Sequence, residues 1–382
     1  MKIIYLTNSM ISEDFDALNE TVSVKANPSN QNFHARLIKA FSLHHAVIAL
    51  SYRPLANYND PNFLPYEWKK DQKITYHYLP IHNRRYTRQQ KLIDYGMTLI
   101  GKLMKTVKKD KPFLVVDGLN ATLRHLALKA SRKHGLKTIL VVTDNPYLLS
   151  GSKEKTARAA IKQMSKFDYF IPLTPALDIL VNPLHRPHLN LPGIAEGREY
   201  YSQYQRPYFF FAGALHERYG INNLITAFQG VTYDVDLLIA GHGPDHFVRQ
   251  ASAHDERIKF LGQLAPSEIF KYESGALLNI NPRPFDRVLN DYSIPSKFFE
   301  YMTSGVPTMS TEHAFLTSKY AKLAIWAGQG SPTDLKMGLV EFMGMAASTR
   351  DRMAKKAQEA VLEEYGIEAV GTALAQFTKS LR

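Results

Sequence analysis

The spacing of apolar residues divides the chain into two consecutive stretches, each alternating short apolar runs with helical periodicity. In the first, residues 2–6, 46–51 (AVIALS), 113–117 (FLVVD) and 138–143 (TILVVT) are apolar runs of strand length, the pattern of parallel strands buried on both faces. Residues 73–80 (KITYHYLP) alternate instead, and 168–173 and 188–191 add two shorter strands. Phe33, Leu37, Ile38 and Phe41 share one face of a helix, as do Leu92, Ile93, Met97, Ile100, Leu103, Met104 and Val107. Two further helices span 121–134, stopped by Gly135, and 153–166. The loop over 8–31 is long and polar, a length that within a compact domain belongs to a functional segment.

The second stretch restarts the pattern. Residues 209–211 lead into Gly213, and Arg218-Tyr219-Gly220-Ile221 precedes a helix through Phe228. Strands follow at 237–240, entering Gly241-His242-Gly243-Pro244, at 259–264 (KFLGQL), at 276–283 (ALLNINPR) and at 306–311, and three helices over 335–345, 349–364 and 369–381 close the chain. The fold class is α/β with two Rossmann-like domains: 1–195, a linker over 196–206, 207–365, and a last helix over 366–382. A length of 382 residues with 45% hydrophobic content suits two cores.

Charge sharpens this division. Residues 1–195 hold 28 Lys and Arg against 14 Asp and Glu, and the remainder holds 19 against 21, so the first domain carries the whole excess of the net +12. Such a domain suits an anionic partner: a membrane surface, a phosphorylated acceptor or nucleic acid. Nucleic acid ranks last, because the cations are interleaved with helical core positions and no stacking platform accompanies them. The basic segment 84–111, with Arg85, Arg88, Lys91, Lys102, Lys105, Lys108 and Lys109, can either lie on anionic lipid or bury its apolar stripe on the sheet. Cysteine is absent, which excludes disulfides and thiolate metal sites and suits a reducing cytosol. No apolar run reaches 18 residues, and the apolar start is too short for a signal peptide, so the expected location is cytoplasmic, with peripheral contact at the inner face of the membrane.

The chemistry concentrates in residues 289–307 (LNDYSIPSKFFEYMTSGVP). Loop residues enter an amphipathic helix through Pro295-Ser296-Lys297, and Gly305 and Pro307 end it. Such an entry directs unpaired N–H groups at whatever lies in front of the helix, where the dipole favours negative charge. Ser296 adds a hydroxyl and Lys297 a cation, and Glu300, one turn further in, can accept two hydrogen bonds from a vicinal diol. A diphosphate joined to a ribose needs these groups within one turn. A capped helix packed under a sheet, with Lys297 solvated, is the other reading of the same residues.

This stretch resembles the nucleotide-sugar site of GT-B glycosyltransferases, in particular the retaining family 4. The resemblance implies two Rossmann-like domains facing a cleft, with the C-terminal helix crossing back to the first. It implies a retaining, metal-independent hexosyltransferase that moves a sugar from a nucleotide diphosphate, UDP-linked, to a glycan or lipid-linked acceptor in polysaccharide biosynthesis. By the same resemblance Glu300 holds the donor ribose, and Gly213, Arg218, Ser293, Ile294, Pro295, Ser296 and Lys297 surround the diphosphate, with Arg283 nearby. Gly241, Gly243 and Gly262 line the donor side, the last in a strand whose backbone reads the base. Position 292, where the family's E-x7-E motif has its first Glu, is Tyr. Asp144 and Asn145 follow the strand 138–143 at the end where parallel sheets bind ligands, with Thr143 in the place of the family's His. Asp144 is either chemical, positioning or a turn cap. Asn32 stands on the acceptor side, where Asn30, Gln31 and Asn32 replace the family's glycine pair or cap the helix.

Asp234-Val235-Asp236 imitates a D-x-D metal site but opens an alternating strand, and Gly243-Pro244 breaks the helix that His242 and His246 would need to share a metal. No cofactor and no metal are expected. Two other readings stay open: a UDP-sugar 2-epimerase, and a non-catalytic GT-B partner subunit that binds glycan or polypeptide.

Overall fold

The structure, a computed structural model, describes residues 1–23, 26, 28–55, 63–82, 85–107, 111–149, 151–197 and 202–382. Asn27, Arg84, Lys108, Lys109 and the middle of the expected linker, 198–201, lie outside the described residues. Two compact units emerge. The first comprises Met1–Ile194, Asp291–Ile294 and Ile367–Arg382, and the second Ala195–Asn290 and Pro295–Gly366.

The strands of the first unit are β1 (Lys2–Thr7), β2 (Ala46–Ser51), β3 (Phe63–Leu64), β4 (Glu67–Asp71), β5 (Ile74–Tyr78), β6 (Ile81–His82), β7 (Phe113–Asp117), β8 (Thr138–Val142) and β9 (Tyr169–Pro172). Seven form one sheet in the order β4-β5-β2-β1-β7-β8-β9, parallel except for the antiparallel edge strand β4. Its helices begin with α1 (Ser12–Thr21), α2 (Pro28–His44), α3 (Arg85–Val107), α4 (Ala121–His134), α5 (Glu154–Met164) and α6 (Pro175–Val181).

The second unit holds β10 (Tyr208–Ala214), β11 (Asp236–His242), β12 (Ile258–Gly262), β13 (Leu278–Asn281), β14 (Thr308–Ser310) and β15 (Ile325–Trp326) in one sheet, in the order β12-β11-β10-β13-β14-β15. All five pairings are parallel. Around it run α7 (Ile221–Gln229), α8 (His246–His254), α9 (Pro266–Gly275), α10 (Arg287–Tyr292), α11 (Ser296–Thr303), α12 (Ala314–Tyr320), α13 (Pro332–Gly344) and α14 (Ala347–Tyr365), and α15 (Ile367–Ser380) belongs to the first unit. Both parallel sheets thus reverse direction beside their first strand, between β1 and β7 and between β10 and β13. Strand order reverses there, and ligands of doubly wound sheets bind at such points.

Burial explains the apolar runs. Every residue of β7 and β8 is buried, and the two faces of the sheet feed separate clusters, with Ile4, Leu6 and Leu114 on one and Ile3, Tyr5 and Val115 on the other. The stripe of α3 is spent in the first of these: Leu92, Ile93, Met97, Ile100 and Met104 pack with Leu123 and Leu126 of α4, leaving Lys91, Lys102 and Lys105 exposed. An apolar stripe committed to the core cannot insert in lipid, so only the cations of α3 remain for an anionic surface. On the opposite face α15 places Val370, Leu374 and Phe377 in a cluster with Leu37 and Phe41 of α2. Among the described residues no helix is long and apolar enough to cross a membrane.

Several local expectations are corrected. The stretch 8–31 is not a continuous loop: α1 forms within it because Phe15 and Leu18, one turn apart, reach the core from an otherwise acidic segment. Helix α2 starts at Pro28, so Asn30, Gln31 and Asn32 lie inside its first turns and do not precede it. Residues 188–191 make a single bridge, Phe170 to His188, in place of a strand. The entry at 289–294 is largely the short helix α10.

Candidate active site

In the second unit, the carboxyl ends of β10, β11 and β13 gather five of the expected donor residues, Gly213, Arg218, Gly241, Gly243 and Arg283. Gly213 pairs with Gly241 across β10 and β11, and a Cβ on Gly241 would lie 2.0 Å from the Gly213 carbonyl oxygen. Glycine at 241 is therefore required by the neighbouring strand itself. Gly243 follows the end of β11 and Gly262 ends the edge strand β12. Between β10 and α7 the chain makes one short 3-10 turn, Glu217–Tyr219, ending in Gly220 with φ +80°. A Cβ at 220 would stand 1.9 Å from the Pro282 carbonyl oxygen, so this glycine lets the Arg218 turn close onto the end of β13.

That contact brings two guanidinium groups to the reversal point. Arg218 is exposed and lies over the Tyr219 ring, 4.9 Å from its centre, donating to the Tyr219 hydroxyl at 3.0 Å. Arg283 is 9% exposed and donates to Asn290 Oδ1 at 3.1 Å, while its carbonyl accepts from the Thr311 hydroxyl. Burial lowers the Arg283 guanidinium from its ordinary value, and the like charge of Arg218 acts in the same direction. A pair of neighbouring cations held in this way suits an anion with more than one charge.

Helix α11 starts at Ser296 behind Pro295, which offers no capping side chain; the Phe298 N–H donates to the Pro295 carbonyl at 3.0 Å, and the N–H groups of Ser296 and Lys297 keep their donor capacity. Ser296 is exposed. Lys297 Nζ lies 2.8 Å from Glu300 Oε2 and 3.1 Å from Glu273 Oε1. Burial alone would lower the Lys297 ammonium, but Glu273 and Glu300 outweigh it and hold the group well above its ordinary value. Tyr301 anchors the helix, its hydroxyl accepting from the Ala212 N–H at 3.0 Å and donating to the Ala212 carbonyl at 3.3 Å. Ser293 and Ile294 belong with Asp291–Ile294 to the first unit, where Tyr292 packs against the apolar cluster that contains α3. Position 292 thus contributes a packed ring where the resemblance leads one to look for a carboxylate.

In the first unit, the reversal point between β1 and β7 carries a buried polar cluster. His34 Nε2 is 3.4 Å from Asp117 Oδ1, Asn30 Nδ2 donates to Asp117 Oδ2 at 2.9 Å, and the Leu119 N–H donates to Oδ1 at 3.0 Å. The Tyr5 hydroxyl meets His34 Nδ1 at 2.7 Å. Burial alone would raise the Asp117 carboxyl, yet His34, Asn30 and Leu119 hold it down at about 2. Asp144, beyond the end of β8, is instead pushed above its ordinary value by burial and by the charge of Asp117. Two carboxyl groups driven apart in this way can divide the roles of fixed anion and proton carrier. Asn145 is buried and its Oδ1 accepts from the Tyr147 N–H at 2.9 Å, which makes it a turn former. Gln31 spends its amide on the Met10 backbone, accepting at 2.8 Å and donating at 2.7 Å, and Asn32 is half-buried in α2.

Sequence reasoning missed His34, Asp117 and Glu273. Asp117 ends its strand as Asp144 nearly ends its own, and the same strand-end argument would have found it. His34 and Glu273 carried no such signal, since each lies within a helix, Glu273 in the last turn of α9, away from any strand end.

Comparison with known proteins bears on the second unit and on the whole chain differently. Residues 206–344 match the family described as Glycosyl transferases group 1. Among solved structures, a trehalose-6-phosphate synthase superposes with a TM-score of 0.70 at 9% identity, covering 99% of each chain. A sucrose-phosphate synthase from Thermosynechococcus elongatus gives 0.67 at 13% identity, covering 100% of this chain and 99% of that one. An E. coli trehalose-6-phosphate protein bound with UDP-2-fluoro glucose gives 0.67 at 9%, covering 98% of each. The search of curated proteins found no match. The chain has the GT-B fold, and the segment that supplies Arg218, Arg283, Lys297 and Glu300 is the one that resembles the group 1 glycosyltransferases.

Proposed function

We propose that the chain is a retaining hexosyltransferase that takes a UDP-linked sugar in its second unit and transfers the sugar to an acceptor bearing phosphate, either a sugar phosphate or a lipid-linked glycan precursor. Two observations in the second unit carry this reading: the neighbouring Arg218 and Arg283 at the reversal point between β10 and β13, and α11, which bears Lys297 and Glu300 and begins with no capping side chain. Support also comes from a structural neighbour solved with UDP-2-fluoro glucose, and from a Burkholderia xenovorans trehalose-phosphate synthase, described as UDP-forming, in complex with glucose-6-phosphate.

In this account Glu300 accepts from the ribose hydroxyls, and Arg218, Arg283, Lys297 and the first N–H groups of α11 neutralise the diphosphate. The bond from the sugar C1 to the diphosphate oxygen breaks, a bond from C1 to the acceptor oxygen forms on the same face, and the acceptor proton leaves with the phosphate oxygen. The protein cations stabilise the charge that develops on UDP, with no resident metal required. Asp144 positions the transferred sugar or acceptor hydroxyl, and Asn145 and Asn32 shape that side. The charge excess of the first unit draws the acceptor phosphate and, for a lipid-linked acceptor, an anionic cytoplasmic membrane face.

The test is release of UDP from UDP-glucose and other UDP-hexoses in the presence of EDTA, with glucose 6-phosphate and a lipid-linked sugar phosphate as acceptors. Acceptor-dependent UDP release, with an α-linked product from an α-donor by NMR, is expected. Conversion of the UDP-sugar to its 2-epimer, or binding with no turnover on any acceptor, would contradict the reading.

A further inference from the structure

The ammonium of Lys297 is shared between two carboxylates of different origin. Glu300 lies one turn along the same helix, and its contact at 2.8 Å is what that spacing gives. Glu273 comes from the last turn of α9, is 2% exposed, and reaches Lys297 Nζ at 3.1 Å. Its place is set by the fully buried Asn279 of β13. The Asn279 side-chain amide donates to the Glu273 carbonyl at 3.0 Å and to Ser304 Oγ, past the end of α11, also at 3.0 Å. One buried amide therefore joins the ends of α9 and α11 and presents Glu273 to Lys297.

Electrostatics makes this placement informative. Glu300 alone would neutralise Lys297, and with Glu273 the three side chains sum to −1. Helix geometry reinforces the effect: Lys297 sits in the first turn of α11, yet its ammonium is drawn back toward Glu300 and lies 5.8 Å from the Tyr301 ring centre. An anion at the N-terminus of α11 would meet a lysine turned away from it. A buried carboxylate is costly unless paired, so this arrangement is not incidental surface chemistry.

We propose that Glu273 is a positioning residue of the donor site: it holds Lys297 back along α11 and competes with the donor diphosphate for the ammonium. The inference rests on the reading of this segment as a nucleotide-sugar site. It separates Glu273 from a purely structural residue, because it concerns the phosphate end of the ligand and leaves the nucleoside end untouched.

The test is calorimetric titration of the full-length chain with UDP and with uridine, for wild type, Glu273→Gln and Glu273→Asp, with thermal unfolding of each variant. The Gln variant keeps volume and removes the charge, and the Asp variant keeps the charge and shortens its reach. Expected is UDP binding at least threefold tighter in Glu273→Gln, with a smaller gain in Glu273→Asp, and uridine binding unchanged in both. If Glu273→Gln does not fold, the gain in Glu273→Asp carries the test alone. UDP affinity unchanged, or weakened in parallel with uridine, overturns the role of Glu273 and leaves the donor-site reading standing. Absence of UDP binding by the wild-type protein overturns both.

Discussion

The Tyr301 hydroxyl satisfies both backbone groups of Ala212, accepting from its N–H and donating to its carbonyl, although the two residues are 89 positions apart. This bond fixes α11, and with it Lys297 and Glu300, against the end of β10. Tyr301→Phe removes one buried donor-acceptor group and leaves the Ala212 N–H unpaired. The expected cost is about 1–3 kcal/mol of stability, measured by urea unfolding, accompanied by weaker UDP binding as α11 loosens.

Gly220 permits the close approach of the Arg218 turn to Pro282. Gly220→Ala would have to place a Cβ within 1.9 Å of a carbonyl oxygen at φ +80°. A loss of about 2–4 kcal/mol is expected, since backbone strain and a steric clash combine. Urea unfolding measures the loss, and UDP affinity should fall with it because Arg218 and Arg283 no longer share their site.

The contrast between these two positions shows how far the sequence could be read. Gly220 stood within the Arg218-Tyr219-Gly220-Ile221 turn, and the strand-turn-helix pattern on each side located it. The two sheets were legible for the same reason, because a strand buried on both faces must be apolar throughout. Tyr301 could be placed only as a core residue of an amphipathic helix, since its partner is backbone on a distant strand. Glu273 and His34 were illegible in the same way: a charged or polar residue on the inner side of a helix is marked by its spatial neighbours, not by local pattern. The acidic α1 shows no helical period in the sequence, because two apolar residues are too few to establish one.

Asp117 links pH to the stability of the first unit. Its folded pKa, about 2, lies below the unfolded value of 3.8, so its contribution is present above pH 3.8 and disappears as pH falls through 2. By linkage this is about 2 kcal/mol. Wild type should lose that amount between pH 4 and pH 2, and Asp117→Asn should show a correspondingly flatter acid limb in chemical denaturation.

Asp144 carries the opposite sign. Burial and the neighbouring Asp117 raise its carboxyl pKa, so the ionised form destabilises the fold once pH rises above the unfolded value. Asp144→Asn should therefore raise the thermal midpoint at pH 7, with the difference vanishing below pH 3.8, while acceptor-dependent UDP release drops at least tenfold. A stabilised variant that loses turnover would mark Asp144 as a group kept for function.

Titration calorimetry with UDP, GDP and TDP in the absence of added metal, on wild type and on Glu300→Ala, bears most directly on the donor site. Micromolar binding of UDP, weaker binding of the other two, and loss of UDP binding in Glu300→Ala are the expected results. No binding of any nucleotide by the wild-type protein, or UDP binding that survives Glu300→Ala unchanged, would contradict a donor site built on α11.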